Sequence, residues 1–247
     1  MSEPDDHSSP FRLVGSMTIL GAVALLVGIL AGTLTFSLIG TPFSLSLTAP
    51  PGQLLFNLGT YVGIAAVGFV FLLRHELPLS YVRIRMPKRR DVGWTVVTLL
   101  ALVGFSLLIP MVVSRLGLPF TDHSVADSIA ANPTIALVFL PLSILVVGPA
   151  EEFLYRGIIQ TRLREAFDAT LAVAIAAVIF AVVHFPAYLD PSNVPGTVVT
   201  VFVILLPLGA ILGAVYERTD NLVVPALAHG FYNAITYGLL YVDVVVV

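Results

Sequence analysis

Cysteine is absent from the 247 residues, so a disulfide framework, a thiolate metal site and a cysteine nucleophile are all ruled out. Charge is scarce as well. Asp, Glu, Lys and Arg make up 11% of the chain against 57% hydrophobic residues, whereas an average soluble domain carries about 25% charged residues. A net charge of −3, with the basic residues gathered locally, gives no nucleic-acid surface. No internal repeat, low-complexity tract or composition shift divides the chain, so a single membrane domain over residues 1–247 is expected.

What fills the space left by charge is long apolar sequence. A helix needs roughly 20 apolar residues to cross a ~30 Å hydrocarbon layer, and runs of that kind occur at 13–39, 53–73 and 92–113. Others start at 133 and run on past 157, and cover 170–185, 197–216 and 222–241. An all-α, polytopic transmembrane helix bundle of about seven spans (seven or eight) follows. The first run is too long for the apolar region of a secretory signal and is read as a retained helix. Basic residues cluster at Arg12, in the linker holding Arg74, Arg83, Arg85, Lys88, Arg89 and Arg90, at Arg162 and Arg164, and at Arg218. With a cytoplasmic N-terminus and seven spans these all fall on the cytoplasmic side, as the positive-inside rule requires, and only Arg115 falls outside. The fourth element, 133 to about 167, would be roughly 50 Å long as one helix, so it must tilt, bend near Gly148 and Pro149, or project into the cytoplasm. The basic linker at 74–91, with Tyr81, Val82, Ile84 and Met86 interleaved, reads equally as a segment lying on an anionic membrane surface or as a solvated loop.

Ionisable side chains inside such spans cost ~2.5 to 3.5 kcal/mol each on insertion scales and mark function by default. Here they are Glu151, Glu152, Arg156, His184 and His229, with the amide of Asn233. Glu152 and Arg156 are four apart, hence neighbours on one helix face and able to pair. Glu151 is turned about 100° away and has no partner in its own helix. His229 and Asn233 project together from the last span, and Phe180 and His184 repeat the step of four in the fifth. The helical break expected near Phe167 and Asp168 is also the midpoint between Glu151 and His184, so antiparallel packing sets these two at one level. Two carboxylates, two imidazoles, a guanidinium and an amide then converge, as general acid–base and oxyanion chemistry requires. Taken singly, each has a blander reading, a histidine joining helices or a Glu–Arg clamp.

At these residues the chain resembles the CAAX protease and bacteriocin-processing family of intramembrane endopeptidases, which includes the type II CAAX prenyl endopeptidase. The family patterns EExxxR, FxxxH and Hxxx(D/N) appear as EEFLYR at 151–156, FAVVH at 180–184 and HGFYN at 229–233. The flanks FLYRG and GAVYERTDNLVVPALAHG are similar too, so the likeness covers about 133–238 as a catalytic core. It implies hydrolysis of a peptide bond by activated water. Glu151 would be the general base, His184 would orient the water, and His229 with Asn233 would form the oxyanion hole. Glu152 and Arg156 would brace the helix and position substrate, with Phe180 beside them. The substrate implied is a membrane-anchored peptide or protein, with a prenylated CaaX-like C-terminus as the eukaryotic precedent, and the setting is the plasma membrane of a prokaryote. No cofactor is expected, although a zinc-dependent version with Glu151, Glu152, His184 and His229 as ligands stays open.

Other intramembrane proteases do not fit. The sequence HELPL at 75–79 lacks the second histidine of HExxH, no GxSG occurs, and no Asp lies within a span. The alternative from another class is a non-catalytic membrane scaffold, bacteriocin-immunity or regulatory protein. A proton-coupled transporter is a third idea, opposed by the lack of inverted repeats.

Overall fold

The computed structural model describes residues 10–246, all in helices and their connections, with no strand among the described residues. We number the helices α1 (Pro10–Phe43), α2 (Pro50–Arg74), α3 (Arg89–Arg115), α4 (Ser124–Ala131), α5 (Thr134–Leu163), α6 (Ala169–Val183), α7 (Val194–Thr219) and α8 (Val223–Val246). Their ends follow local rules. Pro50 and Pro51 open α2 after Ala49 in an extended conformation, the position where proline's missing N–H costs nothing. Asp168 caps α6 by accepting from the Leu171 N–H at 3.0 Å, and Asn193 caps α7 by accepting from the Gly196 N–H at 3.0 Å.

Among the described residues five helices are long and apolar enough to cross a bilayer: α1, α2, α3, α5 and α7. The protein is an integral membrane protein, and its lipid-facing surfaces are apolar, as with Leu73 and Leu100. All seven expected runs are helical, but two of them differ from a simple span. α6 has only 15 residues, about 22 Å of helix at 1.5 Å per residue, and it stops at His184 because Pro186 follows. α8 is long enough at 24 residues, but His229, Asn233, three tyrosines and Asp243 lower its hydropathy.

The long fourth element neither breaks at Gly148 nor projects as far as Phe167. It is one 30-residue helix ending at Leu163, and it contains Pro141 and two π-helical stretches, Ser143–Val147 and Phe153–Gln160, on either side of the α-helical turn Gly148–Glu152. Widened turns of this kind collect at functional sites, and here they frame the two glutamates. The basic linker keeps most of its side chains at the surface but is anchored to the bundle. Its turn Leu79–Val82 packs against α5, with Val82 fully buried. The Tyr216 hydroxyl donates to the Val82 carbonyl at 3.2 Å, and the Leu222 N–H donates to the Arg83 carbonyl at 3.1 Å. Arg85 forks onto Asp91 at 2.6 and 3.0 Å and donates to the Thr219 carbonyl at 2.8 Å. The linker thus closes one end of the bundle.

Small residues let the helices meet. α1 and α2 pack through Gly28 and Gly63, where a Cβ on Gly63 would stand 3.0 Å from the Gly28 Cα. α5 and α8 cross in backbone contact: a Cβ on Gly230 would stand 2.7 Å from both the Ile144 Cα and the Ser143 carbonyl oxygen. Packing of this kind is the chief source of helix association within lipid. Gly230→Ala should therefore push α8 off α5 and lower stability by about 1 to 3 kcal/mol, the range for overpacking. Thermal unfolding in detergent measures it, and an unchanged Tm would contradict the close crossing.

Candidate active site

Glu152 is fully buried, and its Oε1 accepts from two sides: from Arg156 Nη1 at 3.0 Å, one turn on in α5, and from His229 Nδ1 of α8 at 2.8 Å. Arg156 is 1% exposed. Its second nitrogen donates to the Gly209 carbonyl of α7 at 2.8 Å, and its guanidinium lies 4.7 Å over the Phe180 ring. One carboxylate and one guanidinium therefore tie α5 to α6, α7 and α8. A charge pair removed from water needs such compensating hydrogen bonds, and both fall on Oε1, while Glu152 Oε2 is buried without a partner.

Glu151 is the next residue, but it faces the other way, into a cavity of about 440 Å³. Its Oε2 lies 3.6 Å from His184 Nε2 and 3.8 Å from His229 Nε2, just beyond direct hydrogen-bond length. The outer nitrogens set the tautomers. His184 Nδ1 is 2.7 Å from the Phe180 carbonyl oxygen, which can only accept, and His229 Nδ1 faces the Glu152 carboxylate. Both Nδ1 atoms are thus donors, and both Nε2 atoms are turned toward Glu151. Asn233 lines the same cavity one turn beyond His229.

The expected residues therefore come together. Glu151, His184, His229 and Asn233 border the cavity, and Glu152, Arg156 and Phe180 brace it, Phe180 also lining it. The pairing of Glu152 with His229 was not part of the sequence reading, which gave Glu152 only its neighbour Arg156. It sets Glu152 behind His229 at Nδ1, while Glu151 faces the Nε2 of the same ring. Among the described residues no group of three or more His, Cys, Asp or Glu side chains is arranged to hold a metal ion.

Two further groups were missed. Tyr61 of α2 lines the same cavity as Glu151. His123, in the loop before α4, also reaches it. The His123 Nδ1 accepts from the Val125 N–H at 3.0 Å, and its ring stands edge-on to Tyr188 at 4.9 Å. Burial pushes the His123 imidazole down to about 4, so it is neutral at pH 7, as an accepting Nδ1 requires. A tyrosine in an apolar run and a histidine in a polar loop carry no spacing signal that would have singled them out.

Comparison with known proteins bears on the same segment. Residues 133–235, less than half of the chain, match the family model described as type II CAAX prenyl endopeptidase Rce1-like. YpbD of Bacillus subtilis, whose own description is that of an uncharacterized protein, is 33% identical over 117 residues, or 47% of this chain and 52% of the relative. The chain thus spans about half the length of that curated relative. No solved structure matches it. The segment that supplies Glu151, His184, His229 and Asn233 is thus the part of the chain that is similar to the Rce1-like type II CAAX prenyl endopeptidases.

Proposed function

We propose that the protein is an intramembrane endopeptidase that hydrolyses a peptide bond of a membrane-anchored substrate by direct attack of water. The observation that carries this reading is the Glu151 carboxylate flanked by two imidazole Nε2 atoms within one cavity. Water held at Glu151 Oε2 and His184 Nε2 gives its proton to Glu151 as its oxygen attacks the carbonyl carbon. His229, steadied through Nδ1 by Glu152, faces the developing oxyanion with its Nε2 side and, with the Asn233 amide as a second group, forms the oxyanion hole. Collapse of the tetrahedral intermediate breaks the C–N bond, and Glu151 returns the proton to the leaving amine. The products are a carboxylic acid and an amine, with one water consumed. No step passes through a metal.

Glu152 and Arg156 serve this scheme by holding α5 and α8 in register. The setting proposed is the plasma membrane of a prokaryote with the N-terminus in the cytoplasm, a reading supported by the side on which the basic residues gather. Membrane-associated substrates follow from the family and the apolar helices, and a prenylated CaaX-like end is one form such a substrate can take.

Purified protein should cleave a membrane-anchored peptide, and Glu151→Gln should reduce kcat by about 10² to 10⁴, the usual contribution of a general base, while leaving Tm unchanged. Normal cutting by this variant would end the proposed role. Asn233→Ala should cost about 10² to 10³ in kcat with KM little altered, as for a lost oxyanion donor. A rise in KM alone would make Asn233 a binding residue instead. Arg156→Met should do the opposite of Glu151→Gln, lowering stability by roughly 3 to 5 kcal/mol as a broken buried ion pair does, read as thermal unfolding in detergent. EDTA should leave the rate unchanged, and loss of activity restored by zinc would overturn the metal-free scheme.

A further inference from the structure

The cavity that holds Glu151 is closed at one end of the bundle and adjoins a second cavity at the other. At the closed end every residue of Phe153–Gln160 is buried, and Val82 and Tyr216, both without exposure, seal it behind the linker. Gln160 adds a cross-tie there, donating to the Gly213 carbonyl at 3.1 Å and to Glu217 at 2.9 Å. Toward the other end, His123, Tyr188, Tyr232, Thr236 and Tyr237 border both the catalytic cavity and a neighbouring one of about 620 Å³. The second cavity is lined in part by Ser106, Thr121, Asp122, Thr200 and Asp243. The shortness of α6 makes this junction, because the chain turns at His184 and brings Tyr188 to the neck.

The two ends differ in charge. Of the 12 Lys and Arg residues, Arg115 alone sits at the open end and Arg156 lies within. The rest, from Arg12 and Arg74 through the linker to Arg162, Arg164 and Arg218, sit at the closed end. The described acids of the open end are Asp122, Asp127, Asp190 and Asp243, and no Lys or Arg lines either cavity. By the positive-inside rule the closed end is cytoplasmic. A third hollow of about 400 Å³, between α2, α5 and α8, is almost wholly apolar. It lacks the hydrogen-bonding groups that an unpaired peptide backbone demands on leaving water.

We infer that the active site takes its substrate from the extracytoplasmic face, as a basic peptide segment passing between Asp122 and Asp243 and through the neck at His123 to Glu151. This rests on the peptidase reading above and adds to it the side of entry and the charge of the substrate. Cavities of several hundred Å³ lined by a few polar groups suit a short stretch of chain, and fields of one sign at a mouth concentrate ligands of the other.

The absence of cysteine makes the test direct. Ser106→Cys places a thiol in the outer cavity, and Ser80→Cys places one on the exposed linker at the closed end. A membrane-impermeant methanethiosulfonate applied to intact cells should label Ser106→Cys and leave Ser80→Cys unlabelled until the cells are permeabilised. Labelling with a bulky reagent should then cut the rate at which a lysine-containing peptide, anchored with its scissile segment outside, is cleaved by at least tenfold. Asp122→Asn together with Asp243→Asn should raise KM severalfold for that peptide and leave KM unchanged for its alanine-substituted version. The inference is overturned if Ser106→Cys labels only after permeabilisation, if its modification leaves cleavage untouched, or if both peptides respond alike. Should the unmodified protein cleave neither peptide, the peptidase reading fails instead, and the labelling still decides which face the passage opens to.

Discussion

A single carboxylate without exposure to solvent, that of Glu152, is the tie on which the site depends. It accepts from Arg156 on its own helix and from His229 across the bundle, so the position of α8 relative to α5 is set by charge-assisted hydrogen bonds where lipid and protein offer no other strong directional force. Arg156 extends the tie to the Gly209 carbonyl and the Phe180 ring. The close crossing at Gly148 and Gly230 permits the approach, and the buried charge selects one register within it.

Adjacent glutamates thereby acquire separate tasks. The turn of about 100° between consecutive helical residues points Glu152 at the helix interface and Glu151 at the cavity. Glu152 also fixes the imidazole that Glu151 faces, because His229 uses Nδ1 for the tie and is left with Nε2 toward Glu151. His184 is treated likewise by the Phe180 carbonyl. Each imidazole is thus oriented from behind, a second layer of contacts of the kind that precise chemistry needs. The proposed peptidase mechanism asks little rearrangement of such an arrangement.

Much of this was legible in the residues. The steps of four in EEFLYR, FAVVH and HGFYN place the polar groups on helix faces, and the break at Phe167 and Asp168 brings Glu151 level with His184, which stands 3.6 Å away. The family match falls on the same segment. The illegible parts are those decided by contacts distant in sequence. Nothing in the spacing of Glu152 and His229 shows that they pair, and the pairing is made by which imidazole nitrogen faces which carboxylate. Tyr61 and His123 enter from a helix and a loop whose own patterns are ordinary. The basic linker looked like surface because its charges are exposed, whereas its backbone carbonyls and Val82 are taken by α5, α7 and the start of α8.

The central claim is that Glu151 and His184 act on one water molecule as a unit, and a double-mutant cycle tests it most directly. The values of kcat/KM for Glu151→Gln, His184→Asn and the double variant should be strongly non-additive, with the double variant no slower than the slower single one, as for groups sharing one step. Losses that simply add would mean that the two side chains act independently, and would contradict the account.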